Sequence, residues 1–251
     1  MVLGMHLEST GLFTTEYKGS ACGKSYCSDN MKKRIVIIGG GFGGVTTAMR
    51  LARRRIDAEI ILIDKRTHHL YTPWLYRIPS DVWNGKERRV CEFSFEMLFR
   101  KFKDRVHVRR AEVKAINQET KHVILENGNT IAYDILVIAA GSTVNYFGMP
   151  RVEQEAHVLN TPDGVEKMHK AFTGVIEALK EGRKKHVVFA GAGPTGVETA
   201  LELAQIKKRH RLHKLDISLI DAGDALFPHF SKTIQRAAKR RVRHLGLRIL
   251  H

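Results

Sequence analysis

The strongest constraint on this 251-residue chain is an internal repeat. Residues 35–52 (IVIIGGGFGGVTTAMRLA) align without gaps on residues 187–204 (VVFAGAGPTGVETALELA), and all three spaced glycines match. In both copies an apolar run precedes the glycines and an amphipathic helical pattern follows them, and a later apolar run ends in Leu-Ile-Asp, at Asp64 and at Asp221. A strand–turn–helix–strand unit that occurs twice predicts an α/β fold with parallel sheets.

The glycines have the spacing G-x-G-x-x-G in each copy, which is typical of Rossmann-like dinucleotide-binding units. The first glycine allows a tight turn, the second lets a pyrophosphate approach bare backbone, and the third lets helix and strand pack closely. The pyrophosphate then lies at a helix N-terminus, and the acid after the next strand accepts hydrogen bonds from ribose hydroxyls. The predicted binding residues are Gly39, Gly41, Gly44 and Asp64 in the first copy and Gly191, Gly193, Gly196 and Asp221 in the second.

The polar residues 1–30 show no sustained period, and we interpret them as a disordered leader, with Met31 as an alternative start. They contain Cys22 and Cys27 in a C-x4-C spacing, which a redox pair or half a metal site would also show. No further cysteine or paired histidine stands nearby, so we interpret both as incidental thiols and assign no metal site. The two repeats then predict two domains, at residues 31–155 and 156–251.

Lysine and arginine number 42 against 26 acids, so the net charge of +16 favours contact with lipid headgroups, nucleotide phosphates or nucleic acid. The basic run Lys207–Arg211 and the acid-free region Lys232–Arg248 are interpreted as solvated surfaces, with attraction to an anionic membrane as the alternative. No apolar run reaches the roughly 18 residues of a spanning helix. The three cysteines and the absence of a signal peptide pattern favour the cytoplasm.

Two such units in one chain resemble the FAD-dependent pyridine nucleotide oxidoreductases, in which the first unit holds FAD and the second, inserted into it, holds NAD(P)H. Residues 64–76 (DKRTHHLYTPWLY) look like the segment after the flavin ribose acid in type II NADH dehydrogenases, the single-chain NADH:quinone oxidoreductases. Residues 133–143 (YDILVIAAGST) resemble that family's second flavin-contacting strand and turn. Residues 193–198 (GPTGVE) are similar to its NADH-site turn.

The resemblance implies an enzyme that oxidises NADH through FAD and passes the electrons to a quinone. It places Thr72 and Pro73 near the isoalloxazine, Val113 at the adenine edge, and Glu198 between nicotinamide and flavin as the catalytic residue. A structural alternative for Glu198 is a carboxylate that only stabilises the dipole of a first helical turn. Further cofactor-binding residues implied by the resemblance are Lys65, Ala140, Gly141, Pro194 and Thr195.

The chain stops at His251, where the third strand of the second unit begins, whereas the family continues with a third flavin segment, the quinone pocket and a membrane-binding tail. We therefore expect an N-terminal part, with residues 31–155 as an FAD-binding domain, residues 156–251 as an NAD(H)-binding domain, and both incomplete. The expected partners are NADH, a quinone and an anionic membrane surface at the inner face of the cell membrane. A homodimer of the full-length protein is left open, and nucleic acid is not an expected partner.

Asp221 predicts a preference for NADH, because a carboxylate accepts from the 2′-hydroxyl and repels the 2′-phosphate of NADPH. The alternative is that the basic segment Lys207–Lys214 folds over the ribose and reverses this preference. For the chain as a whole, the alternative function is a catalytically inactive nucleotide-binding module with a basic surface that binds membrane or nucleic acid.

Overall fold

The computed structural model describes residues 32–86, 91–223, 226–227 and 229–250, so the leader with Cys22 and Cys27 lies outside the described residues. The described residues form two compact units. The N-terminal unit contains the described residues up to 69 and residues 94–141, and the C-terminal unit contains the described residues of 70–93 and 142–250.

Each glycine turn joins a strand to the helix that follows it, and another strand comes after that helix. The strands are β1 (Lys33–Ile38), β2 (Ala58–Asp64), β3 (His68–Leu70), β4 (Glu92–Ser94), β5 (Val106–Arg110), β6 (Val113–Asn117), β7 (His122–Leu125), β8 (Thr130–Ala132), β9 (Ile135–Ile138), β10 (Lys185–Ala190), β11 (Leu215–Ile220) and β12 (Arg248–Leu250). The α-helices are α1 (Phe42–Arg53), α2 (Ile78–Trp83), α3 (Phe95–Phe99), α4 (Pro150–Glu155), α5 (Pro162–Lys180), α6 (Pro194–Arg209) and α7 (Lys232–His244). Two 3₁₀ helices span Thr72–Arg77 and Arg100–Phe102.

The N-terminal unit is built on a four-stranded parallel sheet with the order β5-β2-β1-β9. Ile35 and Ile37 of β1 pack with the apolar side of α1 on one face of this sheet. Val36 and Ile38 pack on the other face against the antiparallel sheet β6-β7-β8. Strands covered on both faces are apolar at consecutive positions, which explains the unbroken runs in the sequence.

The unbroken apolar sequence of strand β9, Ile-Leu-Val-Ile, predicts a buried strand, and this prediction is wrong. Ile135 is 49% exposed and Ile138 is 67% exposed, while Leu136 and Val137 are half-buried. The physical reason is position, since β9 lies at the edge of the sheet and, among the described strands, pairs only with β1. The Asn127-Gly128 pair predicts a tight turn between two short strands, and the structure confirms this hairpin: β7 pairs antiparallel with β8, and Gly128 in the turn has a φ of +84°.

The C-terminal unit contains the parallel sheet β10-β11-β12, with β11 in the centre. The core of this unit also includes Leu75 and Ile78, which are buried in one cluster with Phe172 and Leu203. Residues 70–93 and 142–155 therefore belong to the C-terminal unit, whereas the repeat boundaries place both segments in the first domain. None of the helices in the described part of the chain is long and apolar enough to cross a membrane.

Candidate dinucleotide-binding sites

The first glycine turn connects β1 to α1 in a conformation that requires its glycines. Gly39 has a φ of +101°, and a Cβ there would lie 2.2 Å from the carbonyl oxygen of Ala139. A Cβ at Gly44 would lie 1.8 Å from the carbonyl oxygen of Gly39. A Cβ at Gly41 meets no heavy atom within 4 Å, so the backbone of Gly41 faces open space at the start of α1.

The second turn, between β10 and α6, repeats this geometry. Gly191 has a φ of +104°, a Cβ at Gly196 would lie 2.2 Å from the carbonyl oxygen of Gly191, and Gly193 faces open space. Gly41 and Gly193 are the N-cap residues of their helices, and neither forms a side-chain cap hydrogen bond. The N–H groups of both first turns are therefore available to an anion such as a pyrophosphate.

Asp64 and Asp221 each accept a hydrogen bond from the backbone of a glycine turn, which is a role beyond the predicted contact with ribose. Asp64 is 8% exposed, and its Oδ2 accepts a hydrogen bond from the Gly40 N–H at 2.6 Å. Asp221 Oδ2 accepts from the Ala192 N–H at 2.5 Å, and Asp221 Oδ1 accepts from the Gly223 N–H at 2.8 Å. Asp64 Oδ1 also accepts from the backbone N–H of Arg66 at 2.7 Å and from its Nε at 3.3 Å. A carboxylate offers about four lone-pair sites, so about one site on Asp64 and about two on Asp221 remain for a ribose hydroxyl.

His69 is a residue that the sequence analysis missed. It is 5% exposed, and its Nδ1–H donates to the carbonyl oxygen of Gly40 at 3.0 Å. The peptide groups around Gly40 are thus held at the N–H by Asp64 and at the carbonyl by His69. The Phe42 ring packs edge-on against the His69 ring with centroids 4.7 Å apart. No periodicity or spacing distinguishes His69 from its neighbour His68, so only the tertiary contact reveals it.

A cavity of about 230 Å³ lies beside the first turn and brings together several predicted residues. Its lining includes Gly39, Asp64, Lys65, Val113 and Ala140. The adjacent Gly141 has a φ of +77° and nothing within 4 Å of a built Cβ. Thr72 and Pro73 are exposed residues of a 3₁₀ helix that belongs to the C-terminal unit.

Glu198 was expected in the first turn of its helix, and this expectation is wrong. The helix α6 begins at Pro194, so Glu198 is its fifth residue and lies past the turn where the dipole acts most strongly. Glu198 is exposed at its surface, yet partial burial of the carboxyl raises its pKa. This position past the first turn does not match a residue that only complements the dipole.

The basic segment Lys207–Lys214 lies at the opposite end of the sheet from Asp221. Lys214 precedes β11 and Asp221 follows it, and six residues at about 3.3 Å each separate the two ends by about 20 Å. The alternative in which this segment folds over the ribose beside Asp221 is therefore wrong. Within the described ranges, no group of three or more His, Cys, Asp or Glu residues is arranged to hold a metal ion.

The comparisons with known proteins agree with this geometry. Among curated proteins, the chain is similar to the type II NADH:quinone oxidoreductases NdhA and Ndh of Mycobacterium tuberculosis, at 29% identity over 236 residues and 31% over 237. These alignments cover 87% of this chain but 49% and 50% of the relatives, so the chain spans about half their length.

Among solved structures, NDH2 from Plasmodium falciparum in complex with NADH matches with a TM-score of 0.70 and 26% identity, over 87% of this chain and 48% of that chain. The expected α/β fold is thereby confirmed. Residues 33–251 match the family model described as pyridine nucleotide-disulphide oxidoreductase. The chain therefore belongs to the pyridine nucleotide-disulphide oxidoreductase family.

Proposed function

We propose that this protein acts in the oxidation of NADH by a quinone, as an FAD-dependent NADH dehydrogenase. FAD, when bound, supplies a ring that accepts a hydride and passes electrons to a second acceptor. The observation that carries the proposal is the pair of uncapped glycine turns, each fastened by an acid at the same place. The names of both mycobacterial relatives specify NADH and quinone, whereas the relatives give no support to an inactive nucleotide-binding module.

The N-terminal unit is proposed to hold the ADP half of FAD. Its pyrophosphate would be bound by the N–H groups at Gly41, and its ribose by Asp64, with Lys65 beside it in the cavity of about 230 Å³. Val113 lines the same cavity, and its backbone is proposed to contact the adenine edge. Ala140 and Gly141 are proposed to support the cofactor from the end of β9.

The C-terminal unit is proposed to hold NADH. The second glycine turn, with Gly191, Gly193 and Gly196, leaves the start of α6 open for the pyrophosphate. Pro194 has no backbone N–H that would need a partner, and Thr195 continues the first turn of the helix. Asp221 is the proposed acceptor for the ribose hydroxyls. Thr72 and Pro73 are the proposed contacts of the isoalloxazine.

Glu198 is proposed to hold or release a proton during turnover. Burial raises its pKa, so its carboxyl keeps a proton at higher pH than an ordinary glutamate does. A general acid or base works best when its pKa lies closer to the working pH. We also propose that the protein acts at the inner face of the cell membrane, where a lipophilic quinone is dissolved.

The decisive experiment follows the flavin absorbance of the protein and its reduction by NADH in the same sample. The purified protein, supplied with FAD, should show a flavin absorbance that NADH bleaches without oxygen and that a water-soluble quinone restores. Gly41→Val and Gly193→Val form a matched pair, because a Cβ at either position meets no heavy atom within 4 Å and we expect both variants to fold. The Gly41 variant should lose the flavin, and the Gly193 variant should keep the flavin but resist bleaching by NADH. A folded protein that neither binds added FAD nor reduces quinone would disprove the proposal.

A further inference from the structure

One side of α7 carries only cationic side chains. They recur at i, i+4, i+7, i+8 and i+11, and all are exposed. We name them the cationic face of α7: Lys232, Arg236, Lys239, Arg240 and Arg243. The sequence contains no aspartate or glutamate from residue 226 to residue 251, and no salt bridge among the described residues involves this face.

This arrangement works against the stability of the helix itself. Lys232 and Arg236 are four residues apart, as are Arg236 and Arg240, so like charges repel along one side. Lys232 also lies at the positive end of the helix dipole, where an acid would be favourable. Helix α5 of the same unit shows the usual solution, since Lys167 pairs with Asp163 at 2.8 Å and Lys170 pairs with Glu166 at 2.6 Å. The cationic face of α7 therefore requires an explanation other than intrahelical stabilisation.

The surrounding surface extends the positive charge and offers a recess. The Nζ of Lys208, near the end of α6, lies 3.0 Å from Nε2 of His244, so the basic run Lys207–Arg211 continues the surface of α7. A groove of about 320 Å³ opens between Leu226 and the first cations of the face, Lys232, Arg236 and Lys239. Its size and cationic rim suit a phosphate headgroup with a short apolar attachment.

We infer that the cationic face of α7 binds the anionic surface of a lipid bilayer. A straight row of side chains on a helix of 13 residues, about 20 Å long, can contact a plane of phosphates along its whole length. Each lysine or arginine close to such a surface strengthens the attachment. The choice of a bilayer rather than another polyanion rests on the proposed function, because a lipophilic quinone is dissolved in the membrane.

The test uses the 251-residue chain and sedimentation with sucrose-loaded vesicles. The chain should bind vesicles of phosphatidylcholine with phosphatidylglycerol, should bind pure phosphatidylcholine much more weakly, and should be released at high salt. Lys232→Gln/Arg236→Gln/Lys239→Gln should lower the vesicle partition coefficient by about tenfold to a hundredfold. The matched control is Lys167→Gln/Lys170→Gln/Lys180→Gln on α5, which removes the same net charge and should change the coefficient by less than about threefold.

Circular dichroism checks that the triple variant keeps its fold, and Arg240→Gln/Arg243→Gln at the other end of the face provides a second variant. Equal binding to neutral vesicles, or equal loss in the α5 control, would overturn the inference. Binding of transfer RNA without binding of vesicles, lost in the α7 variant, would assign the face to nucleic acid instead.

Reduction of a water-soluble quinone is measured separately. Vesicle binding without quinone reduction would disprove only the proposed function, and quinone reduction with unaltered vesicle binding in both α7 variants would disprove only this inference.

Discussion

Asp221 joins the end of β11 to the glycine turn, and we propose that the same side chain selects the nucleotide. Its carboxylate accepts from Ala192 and Gly223, which fixes its orientation at the end of β11. We expect kcat/KM for NADH to exceed that for NADPH, because a fixed carboxylate repels the 2′-phosphate. Asp221→Ala should reduce this discrimination, and thermal unfolding should show a cost of about 1–3 kcal/mol for the unsatisfied Ala192 N–H. Equal use of both nucleotides by the unmutated protein would contradict this assignment.

Glu198 allows a test in which stability and catalysis are separated. Burial raises its pKa in the folded state, so the native protein binds this proton more tightly than the unfolded chain does. The stability that Glu198 contributes is therefore fully present at pH values below the ordinary value of 4.5 and is lost as the pH rises above it. Glu198→Gln should melt at a higher temperature than the unmutated protein at neutral pH, and this difference should vanish at acid pH.

The same variant should slow quinone reduction more than it weakens NADH binding, since glutamine keeps the shape but cannot ionise. A residue that only complements the dipole would instead give unchanged turnover and a loss of about 0.3–1 kcal/mol. Calorimetry across pH and steady-state kinetics together distinguish these results.

The hydrogen bond from His69 predicts that two substitutions of similar size at this position differ in their effect on FAD affinity. His69→Asn places an amide N–H near the position of Nδ1 and can still donate to the Gly40 carbonyl, whereas His69→Leu leaves that carbonyl without its donor. We expect the leucine variant to bind FAD more weakly by roughly tenfold, which corresponds to the 1–3 kcal/mol of an unsatisfied buried group, and the asparagine variant to recover most of this affinity. Fluorescence titration of FAD measures both, and equal affinities would show that the hydrogen bond does not position the turn.

At the level of elements, α1 and α6 can each pack closely on the preceding strand only because the glycine at the contact has no Cβ. Gly44→Ala and Gly196→Ala should each destabilise the protein by several kcal/mol, because a Cβ would lie 1.8 Å or 2.2 Å from a backbone carbonyl oxygen that cannot move without breaking the turn. Gly174 in α5 is the control, since a Cβ there meets nothing within 4 Å. Gly174→Ala should stabilise by about 0.5–1 kcal/mol, because alanine loses less backbone entropy in a helix. Urea denaturation of the three variants would reveal any departure from this order.

At the level of the whole molecule, the segment 70–93 joins a unit whose other residues begin at 142. Leu70, Leu75, Ile78 and Cys91 of this segment are buried in the core with Phe172 and Leu203. Burial of three such aliphatic side chains is worth about 1.5–3 kcal/mol each, which is comparable to the net stability of a small domain.

We therefore expect the isolated piece 142–251 to lack cooperative unfolding and to regain it when a peptide of residues 70–93 is added. Thermal melts followed by circular dichroism test this expectation. A scrambled peptide of the same composition serves as the control, and cooperative unfolding of 142–251 alone would contradict it.

The sequence by itself determined the features that follow from local backbone chemistry and periodicity. Two glycine spacings with a downstream acid specified two strand–turn–helix units, because positive φ and close packing at Gly39, Gly44, Gly191 and Gly196 leave no residue but glycine. The Asn-Gly turn at Gly128 likewise specified its hairpin.

Only the tertiary structure decided the features that depend on neighbours far away in the chain. The exposure of β9 follows from its edge position, which its apolar sequence does not encode. The raised pKa of Glu198 follows from burial, and the role of His69 follows from a carbonyl 29 residues earlier. The assignment of residues 70–93 to the C-terminal unit follows from which core their side chains enter. Burial and long-range hydrogen bonds are properties of the packed chain, so no local pattern in the sequence records them.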